Sequence, residues 1–209
     1  MNAKIKNIIN TIIPNKKINY FIFFVFSLGI ISGAIFLVII NENDKTNTIT
    51  QITNFFNNIN MNTINSVQAL KNSLFNNFTY ILLLWIFGMS IIGILFNVFI
   101  VYIKGFVLGF SISALIYVYG LKGILASFIY IFPHQLLNVF CIIVIGIYSL
   151  MFTNILYKQI MKNKNMELKN FLKKYLYILI ITSSISLIAS LIETFFTPAI
   201  FKLFIKLFI

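Results

Sequence analysis

Long runs without charge alternate with short polar or basic stretches along the 209 residues of this chain. A helix rises 1.5 Å per residue, so about 20 apolar residues cross a hydrocarbon core of roughly 30 Å. The uncharged runs therefore predict five membrane-spanning helices. Their predicted bounds are 18–40, 80–103, 105–119, 134–157 and 175–197. The fold class that follows is all-α and polytopic, with residues 1–209 forming one integral membrane domain.

The segment 41–79, between the first two spans, is polar and rich in Asn and Thr. Its apolar residues nevertheless recur at the spacing of an amphipathic helix. These positions are Ile49, Ile52, Phe56, Ile59, Ile64, Val67, Leu70, Leu74 and Phe78. We predict two amphipathic helices that lie at the membrane surface or on the spans, the second of which continues into the span at 80–103.

The chain is interrupted after the third span. Gly120 and Gly123 break the apolar run, and the apolar stretch that follows them ends before Pro133, too soon to cross a bilayer. We predict that 120–133 is a broken segment with a short re-entrant or surface helix. One broken span over 105–133 is the alternative.

Composition agrees with a membrane protein, since 60% of the residues are hydrophobic, only 10% are charged and the mean hydropathy is +0.97. Soluble domains usually contain about 25% charged residues, so an ordinary cytosolic enzyme and a disordered chain are excluded. The net charge of +12 would also suit a nucleic-acid binder. The Lys residues, however, lie between apolar blocks rather than on one soluble face, and we expect no nucleic-acid partner.

The Lys residues also predict an orientation. The basic arm 1–17 carries four Lys, a predicted tight turn at Lys104 carries one, and the basic link 158–174 carries six, eleven in all, against five elsewhere. We expect the ammonium of Lys104 to reach the headgroups from its turn. By the positive-inside rule the arm, the turn and the link are cytoplasmic, and the tail 198–209 is extracytoplasmic.

Few groups are available for catalysis. The chain contains one His, His134, one Cys, Cys141, and four acidic residues, which do not easily supply a metal site. It has no phosphate-binding loop and no dinucleotide-binding glycine fingerprint. We therefore expect a protein that is not an enzyme and that has no catalytic residues, no metal and no cofactor. An intramembrane hydrolase is the weakest alternative, because paired catalytic groups are absent.

Glu193 is the only acidic residue inside a predicted span. Pro198, which we expect to end that span, lacks an N–H and leaves a carbonyl one turn earlier without its partner. We predict that Glu193 takes a donor from a neighbouring helix and locks the bundle, with Lys122 and His134 expected at the same level. A carboxylate at the headgroup interface, or a proton or ion pathway, are the alternatives.

The pair Pro133 and His134 begins the fourth span, next to the polar residues Gln135 and Asn138. We interpret this stretch as a helix start whose free N–H groups are capped and whose polar side chains lie at the membrane interface. A contact patch for a partner outside the membrane is the alternative.

Glycines four residues apart mark two spans: Gly29 and Gly33 in the first, and Gly105 and Gly109 in the third. Small faces of this kind let helix backbones approach closely in lipid. We interpret both pairs as helix packing within one chain, with self-association as the alternative.

Six motifs follow one another in order from the first span to the last. They are Gly29-Ile30-Ile31-Ser32-Gly33-Ala34, Asn76-Asn77-Phe78, Trp85-Ile86-Phe87-Gly88-Met89-Ser90-Ile91-Ile92-Gly93, Lys104-Gly105-Phe106-Val107-Leu108-Gly109-Phe110, Phe132-Pro133-His134-Gln135 and Glu193-Thr194-Phe195-Phe196-Thr197-Pro198. In order and spacing this set resembles the stage II sporulation protein M family, from about residue 18 to the C-terminus. Gln135 and Asn138 depart from the pattern of many wider-family members, which have Gly and an acidic residue there.

The resemblance implies a non-catalytic scaffold in the mother-cell membrane around the forespore. Such a scaffold anchors and localises two peptidoglycan-degrading partners, stage II sporulation proteins D and P, during engulfment. Membrane lipid is the other expected partner. The resemblance also implies family positions at Lys104, Gly105, Gly109, Pro133, His134, Glu193 and Pro198. A small transporter or channel that uses Glu193 in a polar pathway is the alternative function.

Overall fold

The computed structural model of the chain describes residues 16–61, 65–161 and 168–208. Regular structure in these ranges is entirely helical, as predicted. The elements are α1 (Lys16–Ile39), α2 (Glu42–Asn60), α3 (Ser66–Gly88), α4 (Gly93–Tyr119), α5 (Leu121–Tyr130), α6 (Phe132–Met161), α7 (Leu168–Leu191), a π-helical turn (Ile192–Phe196) and α8 (Thr197–Phe208).

Four helices are long and apolar enough to cross a membrane: α1, α4, α6, and the continuous helix from α7 into α8. The fifth long helix, α3, has a polar first half and packs along α6 and α7. Near one end its Ser73 bonds Glu193 after α7, and at the other its Gly88 bonds Thr153 of α6. Contacts along the bundle show that α1, α4 and α7 run in one direction and that α3 and α6 run in the other. The predicted polytopic all-α fold is confirmed.

The two glycine pairs face each other between α1 and α4. A Cβ on Gly33 would lie 3.0 Å from the Cα of Phe106 and would collide with its carbonyl, and one on Gly29 would lie 3.1 Å from the Cα of Gly105. A Cβ on Gly109 would likewise collide with the backbone of α1. Only residues without a side chain permit this approach. Packing within one chain, as predicted, accounts for both pairs.

The prediction of a tight turn at Lys104 is wrong. Lys104 lies near the middle of the continuous helix α4, about 16 Å from Gly93 at 1.5 Å per residue. Lys is a good helix former, so it does not break a helix by itself. Its side chain is buried, with Nζ 4.8 Å from the centre of the Tyr80 ring, so the ammonium does not extend to a membrane surface.

The turn between α3 and α4 lies instead at 89–92, where α3 ends without a polar loop. The last four carbonyls of a helix have no partner within it. Leaving one of them unpaired in lipid costs roughly several kcal/mol. Here each carbonyl accepts a hydrogen bond. The pairs are Trp85 with the Tyr175 hydroxyl, Ile86 with the Met89 N–H, Phe87 with the Ser90 N–H, and Gly88 with the Thr153 hydroxyl.

The segment after α1 forms the two predicted amphipathic helices, and the second, α3, continues into the bundle as expected. One stripe of α2 faces the protein and includes the buried residues Phe56 and Ile59. Phe56 stacks on Phe201 of α8 with ring centres 4.3 Å apart, and Tyr130 of α5 packs edge-on against both rings. This aromatic cluster attaches α2, α5 and α8 to one end of the bundle, called the α2 end below.

The predicted broken segment is present as well. α4 ends at Tyr119, the φ of 58° at the next residue, Gly120, favours glycine, and the short helix α5 follows. Pro133 is the second residue of α6, within the first turn, where a missing N–H costs no helical hydrogen bond.

The described parts of the predicted basic link at 158–174, residues 158–161 and 168–174, are helical, which corrects its bounds. Lys158 belongs to α6, while Lys169, Lys173 and Lys174 belong to α7. Long Lys side chains allow helices to extend past the hydrocarbon core, because the ammonium reaches water while the stem covers apolar surface. The centre of the link, 162–167, and most of the predicted basic arm, 1–15, lie outside the described residues.

Candidate functional site in the helix bundle

Glu193 is held by side chains of a neighbouring helix, as the sequence predicts, but the donors are not the expected ones. The Ser73 hydroxyl donates to Oε2 of Glu193 over 2.6 Å, and the Asn77 amide donates to the same oxygen over 3.5 Å. Asn77 also donates to the Ser190 hydroxyl over 3.3 Å. These four residues, the Glu193 cluster, join α3 to the end of α7. Lys122, one of the two expected partners, is exposed at the start of α5.

A π-helical turn places Glu193 in this cluster. It spans Ile192–Phe196 and closes where the N–H and the hydroxyl of Thr197 both donate to the Ile192 carbonyl. The prediction that Pro198 ends the span is wrong, because α8 begins at Thr197 and continues the helix. The hydrogen bonds of a π turn already differ from the regular α-helical pattern. The missing N–H of Pro198 therefore does not interrupt a regular α-helical turn. Such turns are frequent at functional sites.

Beside the Glu193 cluster lies a cavity of about 380 Å³, called the membrane cavity below. α2 forms one wall, α4 a second, and α5, α6 and the π turn the rest. Its charged and polar lining residues are Thr48, Gln51, Lys104, Ser111, Tyr130, His134, Gln135 and Glu193. Its apolar lining residues are Ile52, Phe55, Phe56, Val107, Leu108, Phe110, Ala114, Leu115 and Ile131. Its volume lies within the usual range for sites that bind small molecules.

The cavity brings Lys104 and Glu193 together without joining them. Lys104 is 6% exposed, and the only ion pair within 4.0 Å that the structure shows in the described ranges is Lys45 with Glu42. Glu193 is bonded to neutral donors instead. The two charges nevertheless lie close enough to influence each other electrostatically. A cation and an anion therefore border one cavity as separate groups.

Two further polar groups of the cavity wall have no partner within the described part of the chain. They are Nδ1 of His134 and Oε1 of Gln135, both buried at the start of α6. His134 is 3% exposed and lies edge-on to Tyr130, with ring centres 6.2 Å apart. Buried polar atoms are nearly always satisfied by protein, water or ligand. These two atoms mark the cavity as a place where a polar group fits.

The site therefore contains His134, Lys104 and Glu193 from the sequence prediction, and it adds Ser73, Asn77, Tyr130 and Gln135. Pro133 and Pro198 flank it, whereas the glycine pairs serve helix packing. Ser73 and Asn77 lie four residues apart on the helix face that continues into the buried Ile81 and Leu84, but this spacing alone does not distinguish them in a chain so rich in Asn. In the described ranges, no group of three or more His, Cys, Asp and Glu side chains is placed to hold a metal ion.

Fold and site together define a polytopic helical membrane protein whose charged and polar groups converge on a cavity inside the bundle. The family model of stage II sporulation protein M matches residues 22–198, which is most of the chain. The chain belongs to this family of sporulation-related membrane proteins. Comparisons with curated proteins and with solved structures found no match.

Proposed function

We propose that the protein is a non-catalytic membrane scaffold that holds peptidoglycan-degrading partners, of the kind of stage II sporulation proteins D and P, beside the membrane during engulfment. Family membership supports a sporulation role, and the observation that carries the scaffold proposal is the form of α2. This helix is amphipathic and fixed to the bundle, but its outward face is polar and uncovered.

The outward face of α2 follows one stripe at helical spacing, and all of its members are exposed. They are Asn43, Asn47, Thr50, Asn54 and Asn57. The opposite stripe carries Ile52, Phe56 and Ile59 against the bundle. A polar helix face that is held in place by an aromatic cluster offers a partner a fixed surface at little cost in ordering entropy.

The proposed orientation places the α2 end outside the cytoplasm. Lys104 no longer counts as a loop residue, which leaves ten Lys in the arm and the 158–174 segment against five at the other end. The positive-inside rule still favours a cytoplasmic arm and an extracytoplasmic C-terminus. The α2 face would then point toward the peptidoglycan.

The test is to substitute Asn47, Thr50 and Asn54 together with Arg and to purify the protein from detergent-solubilised sporulating cells. We expect the triple variant to insert and unfold like the wild type but to lose co-purification of the D and P proteins, detected with specific antibodies. The control substitutes the exposed Gln68 and Asn72 of α3 with Arg. Undiminished co-purification by the α2 variant would contradict this docking surface.

The membrane cavity favours a second candidate, a small transporter or channel, because charged groups line a cavity beside the middle of α4. Polar residues at this depth are typical of ion and proton pathways. This candidate predicts an ion or proton flux in vesicles that contain the reconstituted protein. Glu193→Gln should abolish this flux, and Glu42→Gln, at an exposed residue, should leave it unchanged. Absence of any flux in the wild type would rule against this candidate and would leave the scaffold proposal unaffected.

A further inference from the structure

An apolar groove of about 450 Å³ adjoins the membrane cavity. It lies between α4, α5 and the first turns of α6, and it is lined almost entirely by apolar side chains. Leu108, Ile131 and Gln135 border both the groove and the cavity. The polar, charged membrane cavity and the apolar groove share a wall. Together they match the two parts of an amphiphile, a headgroup and a hydrocarbon chain.

The charged residues of the membrane cavity limit which kinds of lipid headgroup can bind there. Within the described ranges, the ammonium of Lys104 has no carboxylate within 4.0 Å, and the carboxylate of Glu193 accepts hydrogen bonds from neutral donors only. A purely anionic headgroup would complement Lys104 but would repel Glu193, and a purely cationic one would do the reverse. A headgroup with both a phosphate and an ammonium complements both residues, because charged groups in a low-dielectric site need partners.

The unpartnered groups of the wall agree with this chemistry. Nδ1 of His134 and Oε1 of Gln135 are buried without a hydrogen-bond partner in the described ranges. A ring nitrogen of His can donate to a phosphate oxygen, and an amide oxygen can accept from an ammonium. A primary ammonium donates such bonds, whereas a quaternary one does not.

We propose that the membrane cavity binds the headgroup of one zwitterionic aminophospholipid of the ethanolamine type, with the hydrocarbon chain in the adjoining groove. The phosphate faces Lys104 and His134, and the ammonium faces Glu193 and Gln135. The lipid is a bound component that the chain selects by its headgroup. This inference does not rest on the scaffold function, and it concerns binding rather than flux.

The test uses the full chain, purified in detergent, and measures binding by native mass spectrometry together with thermal unfolding. The added ligands are phosphatidylethanolamine, phosphatidylglycerol and phosphatidylcholine with identical chains, and a mixture of inorganic phosphate and ethanolamine. We expect phosphatidylethanolamine to bind about tenfold more tightly than either other lipid, as one lost charge-assisted hydrogen bond predicts. The mixture without hydrocarbon chains should not stabilise the protein.

Two variants assign the roles. Glu193→Gln should reduce the preference for phosphatidylethanolamine over phosphatidylglycerol to about onefold, because the carboxylate reads the ammonium. Lys104→Gln should weaken the binding of all three lipids about tenfold, because the ammonium of Lys104 binds the phosphate that they share. The matched controls Glu42→Gln and Lys71→Gln alter exposed residues outside the cavity and should bind like the wild type.

Equal affinity of the wild type for the three lipids, or a preference for phosphatidylglycerol, would overturn the proposal even if a variant fails to fold. The same holds if phosphate and ethanolamine without a chain stabilise the protein as well as the lipid does. Lipid binding by Lys104→Gln that equals that of Lys71→Gln would refute the assigned role of Lys104.

Discussion

Removing the Ser73 hydroxyl should be energetically coupled to neutralising Glu193. The hydroxyl donates to the carboxylate over 2.6 Å, a length typical of charge-assisted bonds, and Ser73 is 7% exposed. Hydrogen bonds between membrane helices average about 0.6 kcal/mol in double-mutant cycles, and charge-assisted bonds are roughly twice as strong as neutral ones. We therefore expect a coupling free energy of about 1–2 kcal/mol.

The assay is thermal unfolding in detergent of the wild type, Ser73→Ala, Glu193→Gln and the double variant. For a chain of this size, 1 kcal/mol corresponds to about 2–4 °C, so the coupling should appear as a non-additivity of about 2–8 °C. The control cycle uses Ser184→Ala in place of Ser73→Ala, because Ser184 is exposed and, within the described ranges, its hydroxyl donates only to the Ile180 carbonyl of its own helix. If the effects of Ser73→Ala and Glu193→Gln add within about 0.3 kcal/mol, the bond does not hold α3 to the π turn.

Two further predictions concern helix packing and the end of α3. Gly33→Leu forces a side chain into the backbone of Phe106, so the free energy of unfolding should fall by about 1–3 kcal/mol or more. The control Ser27→Leu, at an exposed position of the same helix, should change it little. Equal effects of the two substitutions in chemical denaturation would contradict the close α1–α4 contact. Tyr175→Phe leaves the Trp85 carbonyl without a side-chain donor and should cost about 1 kcal/mol, while Tyr177→Phe, at a residue 70% exposed, should be neutral in the same measurement.

Hydrophobic runs and helical spacing predict most of the fold, because lipid requires long, internally bonded helices and leaves few other solutions. The sequence also predicts the close packing of α1 and α4, because the four-residue spacing of their glycines can be read directly from it. The position of the α3–α4 turn was not predictable in the same way. Lys104 interrupts an apolar run in sequence, but in the bundle its ammonium lies over the ring of Tyr80, a contact that only the tertiary structure creates.

The site was predicted in part. Glu193 is conspicuous as a lone carboxylate in an apolar run, and its need for a donor follows from its position in a membrane-spanning segment. The identity of the donors depends on the π turn, which turns Glu193 toward Ser73 and Asn77. In a chain so rich in Asn, a single Asn carries little signal. Sequence spacing alone therefore could not select these residues over Lys122.

The central claim is that Lys104 lies inside a continuous membrane-spanning helix and faces a cavity, and labelling of single cysteines tests it most directly. Cys141 is the only native cysteine and is replaced by Ala, and new cysteines are placed at Ser90, Lys104 and Asn47 in turn. In intact cells and in inverted vesicles, a membrane-impermeant thiol reagent should label positions 90 and 47 from opposite sides. Position 104 should not be labelled from the side that exposes position 90. Equal labelling of positions 90 and 104 from that side would contradict the account.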